Sequence, residues 1–245
     1  MAPEAPNRST GPARPPRLNR ERVLRAAVAM ADRDGLAALS MRHLADDLGV
    51  VPMALYKHVA NKEALVDGMV DLVIDEIDHP DPTGVPWKAA VRAQVLAARS
   101  AMLRHPWARA AIETRAARSP TVLTHLDAVA SRFVAGGLSP DLVHHGMHAI
   151  GSRVWGFTQD VFDDGVANAD AIDPDALEVL RARFPGLAVV ADAVRHDESS
   201  VVGSGCDDQA EFEFALDLLL DGIEQRHEQG WSPHPRAAPR RRRSR

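Results

Sequence analysis

Residues 40–58, SMRHLADDLGVVPMALYKH, set two short helix-forming stretches on either side of Gly49. Ser40 is a natural N-cap for the first. Pro52 opens the second in the first turn, where its missing N–H is not needed. Leu44, Leu48, Val50 and Leu55 form a shared seam, with small Ala45 where the two helices must cross closely. These are the physical requirements of a helix-turn-helix, which offers its second helix to the DNA major groove. A Gly and a leucine seam alone would suit any helical hairpin, but the polar groups sharpen the reading. Tyr56, Lys57 and His58 project donors from the end of the second helix. Lys62 sits just inside the next helix start, where free backbone N–H groups already favour a phosphate.

Around this segment the periodicity is helical and predicts an all-α fold. Val23, Leu24, Ala27 and Ala31 make one apolar stripe between about Asn19 and Arg33, ended by Asp34-Gly35. Asn61 caps a fourth helix running to about Ile77, before the breaker 79–84. Helical spacing returns over 87–104, 107–118, 120–135 and 140–162, then in short pieces at 174–183 and 187–195. A last amphipathic helix spans Asp208 to about Glu228. Residues 163–172 and 197–207 read as loops. The domain reading is a disordered arm (1–17), a helix-turn-helix domain (18–78), a helical regulatory and dimerisation domain (85–230) and a disordered basic tail (231–245).

Charge divides along the same lines. Residues 1–62 carry ten Lys/Arg and six Asp/Glu, whereas 63–235 carry 13 and 28, and the last ten residues carry six Arg and no acid. A basic head on an acidic body points to a polyanion-binding segment joined to a part that does not bind one. A single Cys excludes an intrachain disulfide framework and a multi-Cys metal cluster. No apolar run suggests a membrane span, and the N-terminus has no apolar stretch of a secretory signal, so a cytoplasmic protein is expected. There is neither a recognisable nucleophile motif nor a convincing carboxylate pair, so an enzyme is not expected.

The stretch LNRERVLRAAVAMADRDGLAALSMRHLADDLGVVPMALYKHVANKEALVDGMVD resembles the N-terminal domain of the tetracycline-repressor (TetR) family of transcription regulators. The resemblance rests on D-x-G-L-x-x-L-S-x-R-x-L-A, on G-V-x-x-x-x-L-Y-x-H-V and on the following N-K-E-A-L. It covers about residues 18–75. The remainder resembles the regulatory body of the tetracycline-repressor-like subgroup. This implies that Tyr56 and Lys62 hold phosphates with help from Ser40 and His58, and that Arg42 reaches a base edge, guanine O6/N7 suiting its guanidinium. The second helix departs from a polar pattern: Val51, Pro52, Met53 and Ala54 offer apolar contact to thymine methyls, with Lys57 at the far edge. Arg14, Arg17 and Arg20 of the arm are placed to enter a minor groove. The Arg240–Arg243 run reads as a solvated tail, with nonspecific DNA attraction as the alternative.

The resemblance also implies a small-molecule pocket in the second domain. Trp107, Met147, Trp155, Phe157 and Phe162 hold most of the scarce large apolar groups there, and the candidate lining is His105, Trp107, His144, Met147, His148 and Trp155. His144 and His148 stand four apart on one helix, a workable ligand spacing. In the drug-binding branch of the family, a His resembling His105 helps hold a drug-chelated magnesium. Here Pro106-Trp107 follows it and carboxylate partners are not obvious, so no metal or cofactor is expected. Cys206, beside Asp207 and Asp208, reads as an incidental loop thiol. Gly203-Ser204-Gly205 lacks the setting of a phosphate loop.

One helix-turn-helix reads only a short half-site, so a palindromic operator and a homodimer are expected. The last helix has apolar residues beyond one stripe and must bury two faces, one inside and one against a partner. Phe212, Leu216, Leu219 and Ile223 are the candidate interface, in a four-helix arrangement with the long helix before it. The function expected is a repressor released from DNA when an effector moves the fourth helix. The alternative is a DNA-binding regulator or activator with no effector.

Overall fold

The computed structural model describes residues 17–114, 118–155, 174–186, 189 and 208–233, and among these there is no strand. The helices are α1 (Arg20–Asp34), α2 (Met41–Asp47), α3 (Pro52–Leu55), α4 (Lys62–Asp75), α5 (Trp87–Arg104), α6 (Pro106–Glu113), α7 (Pro120–Ala135), α8 (Pro140–Trp155), α9 (Pro174–Arg183) and α10 (Asp208–Glu228). A single 3-10 turn (Leu36–Ala38) joins α1 to α2. The ends of the helices expected over 107–118 and 140–162, and most of that expected over 187–195, lie outside the described residues. So do Cys206, Phe157, Phe162, both loops, Arg14 and the basic tail from residue 234 onward.

The chain divides into two compact units: residues up to Glu76 with Ala101–Val122, and Ile77–Ser100 with the residues from Leu123 onward. In the first, Asn19 Oδ1 accepts the Arg22 N–H at 2.8 Å and starts α1. Gly35, at φ +79°, donates back to the Ala31 carbonyl and ends it. Val23, Leu24, Ala27, Met30 and Ala31 face inward and meet Leu65, Met69, Val70 and Val73 of α4. The approach is tightest at Gly68, where a Cβ would lie 2.7 Å from Leu24 Cδ2. Here a glycine is chosen for space rather than for conformation. α6 belongs to this unit too, packing on α1 and α4 through Trp107, Ala108 and Ala111.

The second unit is built on α5, α7, α8 and α10. Val91 and Val95, Val129 and Phe133, Leu142 and Ile150, and Phe212, Leu216, Leu220 and Ile223 form one apolar core. Phe212, Leu216 and Ile223 are therefore buried inside their own protomer, which corrects the expectation that they form the dimer interface. α10 turns other residues outward, Phe214 and Leu218, while Leu219 is half-buried. Both Gly136 and Gly146 permit close approaches: a Cβ on Gly136 would overlap the Trp87 ring, and one on Gly146 would stand 3.2 Å from Ile223. The acidic residues of α10 answer the cations of α5. Arg92 donates to Asp217 at 2.7 Å and to Glu213 at 2.6 Å, and Lys88 pairs with Asp221 and Glu224. The hydrogen bonds that Lys88 donates to Asp221 and Glu224 push its ammonium up to about 12.

Candidate nucleic-acid interface and effector cavity

Ser40 Oγ accepts the His43 N–H at 3.1 Å and so caps α2. That contact uses an oxygen lone pair, leaving the hydroxyl proton for a phosphate. Gly49, at φ +66°, makes the turn, and Val50 donates to the Ala45 carbonyl at 2.9 Å. These bonds set α3 on α2 with Leu44, Ala45 and Leu55 fully buried between them. The residues expected to contact DNA lie on the outer side of the pair or at its edges. Arg42, Val51, Pro52, Met53, Tyr56, Lys57 and Lys62 are exposed, and Ala54 and His58 are half-buried. Val51 and Met53 are about 70% exposed, an arrangement that costs burial unless a partner covers it. Arg42, Lys57 and Lys62 form no ion pair among the described residues. Three unneutralised cations beside exposed apolar tips suit phosphates flanking base edges. Asn61 Oδ1 takes the Ala64 N–H at 2.7 Å and fixes the α4 start that carries Lys62.

The residues expected to line an effector pocket are separated by the fold. His105 and Trp107 lie in the first unit, within a polar cluster. His105 Nδ1 is 2.9 Å from Asp32 Oδ1, its Nε2 is 3.0 Å from Glu76 Oε2, and the Trp107 indole donates to the same Asp32 oxygen at 2.6 Å. Burial raises the Glu76 carboxyl, but the hydrogen bond and charge of His105, with help from Arg104, bring it below its ordinary value. The carboxylates that the sequence did not reveal beside His105 come from α1 and from the end of α4. His144 and His148 are exposed on α8, with ring centroids 4.6 Å apart, and His145 stands edge-on to Trp231. The Trp155 side chain lies outside the described residues.

Among the described residues, Met147 is the expected one that lines a cavity in the second unit. This half-open recess of about 50 Å³ lies among α5, α7 and α8, with Val95, Ala98, Leu126, Val129 and Ile150 as its apolar walls. Gln94 and His125 supply its polar lining. Gln94 is fully buried and donates to the Asp78 carbonyl at 3.1 Å, but its Oε1 has no partner, and neither does His125 Nδ1. Burial, then the charges of His79 and Arg132, depress His125 to about 4, so it is neutral near pH 7. These two polar residues and Arg132 were missed in the sequence. Their signal was present: His125, Val129, Arg132 and Phe133 fall at core positions of α7, and polar groups on such a stripe mark a site.

Comparison with known proteins agrees with this geometry. The family model for bacterial regulatory proteins of the tetR family matches residues 23–69, and that for the tetracyclin repressor-like C-terminal domain matches 79–227. An HTH-type transcriptional regulator of Saccharopolyspora erythraea is 30% identical over 217 residues, 85% of each chain. The HTH-type transcriptional repressor DrrR1 of Streptomyces coeruleorubidus is 31% identical over 213 residues, covering 85% of this chain and 78% of that one. Apo ActR from Streptomyces coelicolor shares the fold, with a TM-score of 0.67 at 24% identity over 87% of this chain and 98% of that one.

Proposed function

Since this chain belongs to the TetR family of bacterial regulatory proteins and is a DNA-binding transcription regulator, we propose that it acts as a homodimeric repressor released from a palindromic operator when a small molecule fills the α5–α7–α8 cavity. The observation that carries the effector reading is the pair of unpartnered polar atoms, Gln94 Oε1 and His125 Nδ1, on an otherwise apolar recess. A buried polar atom without a partner costs about 1–3 kcal/mol. A ligand that meets both atoms recovers that cost, whereas plain core packing would have excluded them. Repression is supported by the relative named a repressor.

The dimer reading now rests on a different face of α10. Phe214 and Leu218 stand four residues apart and point away from the core. α8 packs on the same helix and exposes His144, His145 and His148. Two such pairs make a four-helix interface that covers both apolar side chains. α5 carries Gln94 and Ala98 on the cavity and ends at Arg104, the neighbour of His105. It is the covalent route by which a filled cavity would reach the helices that hold α4.

An effector releases DNA only if it binds the DNA-free form more tightly. The test begins by selecting a duplex from a randomised pool with the purified protein. A two-fold palindrome should emerge, and compounds shown to occupy the cavity should release it. No preference over scrambled duplexes at low ionic strength would overturn the operator reading. A cavity ligand that leaves operator affinity unchanged would favour the effector-independent regulator.

A further inference from the structure

Arg132, whose charge acts on the cavity-lining His125, is a cation that nothing among the described residues neutralises. Arg132 is 7% exposed, yet its guanidinium meets only carbonyls: Nη1 donates to Ala128 O at 2.7 Å, Nη2 donates to Pro80 O at 2.9 Å, and Nε is unpartnered. Among the described residues no carboxylate pairs with it. A buried charge without a counter-charge is costly and is ordinarily paired. The bond to Ala128 shows the side chain folded back one turn toward the start of α7. That level is three residues, about 4.5 Å of helix rise, from His125 on the cavity wall.

We propose that the effector is an apolar molecule carrying one ionised acidic oxygen group, a carboxylate or phenolate, seated at the Gln94–His125 end of the cavity where Arg132 supplies its counter-charge. This rests on the effector reading above and narrows it. His125 is neutral near pH 7 and offers Nδ1 as a hydrogen-bonding group rather than a second cation. Burial draws Arg132 below the usual guanidinium range, the strain that an incoming anion relieves. Val95, Ala98 and Met147 then hold the uncharged body of the ligand.

The test uses two fluorescent probes of one shape, anthracene-2-carboxylate and anthracene-2-carboxamide, titrated into the full-length protein at pH 7.5. The acid should bind about tenfold or more tightly than the amide, the scale of a hydrogen bond to a charged group. In Arg132→Gln that preference should vanish while the amide's affinity is kept. Val129→Asp, which places a carboxylate on the cavity wall beside Arg132, should abolish or reverse it and serves where Arg132→Gln does not fold. Equal affinity of the two probes for the wild type, or a preference that survives these substitutions, would overturn the acidic-group proposal and leave the effector cavity standing. Failure of both probes to bind at millimolar concentration would overturn the cavity reading together with the proposal.

Discussion

The imidazole of His105 and the carboxylate of Asp32 meet at 2.9 Å, and the oxygen that His105 touches is also the acceptor for the Trp107 indole. One carboxylate on α1 thus holds both the residue that caps α6 and the second residue inside it. Asp32→Ala leaves two nearly buried ring nitrogens without that acceptor and should cost about 2–3 kcal/mol. Asp32→Asn keeps an amide oxygen in place and should cost less. Urea unfolding followed by circular dichroism measures both, and equal midpoints for wild type and Asp32→Ala would show that the cluster adds nothing.

Arg42 and Lys62 are both exposed cations on the proposed DNA face, with different proposed partners. Arg42→Ala should lose about 1–3 kcal/mol on the selected operator and relax discrimination at one base position. Lys62→Ala should weaken all duplexes alike and reduce the salt slope by about one unit. Affinities measured on operator and scrambled duplex at several salt concentrations separate the two. Equal losses on both duplexes for both variants would refute this division of labour.

Gly136 is fixed by space, because a Cβ there would come within 2.4 Å of Trp87 Cγ. Trp87 itself packs on Phe133, with ring centroids 5.5 Å apart, so moving it aside would disturb that contact. Gly136→Ala should therefore destabilise the second unit by about 1–3 kcal/mol. Thermal unfolding should show a lowered midpoint, and no change would mean that the Trp87 ring moves aside freely.

The first unit was legible in the sequence because its signals are local. Asn19, Ser40 and Asn61 each cap the helix that follows, and Gly35 and Gly49 each take positive φ at the expected stop. The second unit was legible as helices but not as a site. His105 and Trp107 were grouped with His144 and His148 by composition, yet Asp32 and Glu76 draw the first two into another unit, and no local pattern reports such a distant partner. On α10 both faces are apolar, so periodicity showed that two surfaces were needed without showing which lay inside. The ion pairs from Lys88 and Arg92 settle that orientation, and they join residues more than 120 positions apart.

Phe214 and Leu218 test the proposed dimer interface on the outward face of α10. Phe214→Glu combined with Leu218→Glu places charge on the outward face of α10 without touching Phe212, Leu216 or Leu220. The double variant should keep its helical signal and sediment as a monomer. Its operator affinity should fall by about two orders of magnitude or more, as the second half-site no longer adds to the first. A double variant that remains dimeric would place the interface elsewhere.

His125 gives the protein a defined acid sensitivity. Its imidazole titrates near 6.5 when the chain is unfolded but is held to about 4 in the fold, first by burial and then by His79 and Arg132. Below pH 6.5 the unfolded chain therefore takes up a proton that the native state refuses. The contribution is fully favourable above 6.5, declines as pH falls from 6.5 to about 4, and is level below that. The span is worth about 3 kcal/mol. His125→Gln removes the titration while keeping a polar side chain at the cavity, so the difference in unfolding free energy between wild type and variant should shrink or reverse over this pH range. A pH-independent difference would show that the imidazole titrates in the fold much as it does in the unfolded chain.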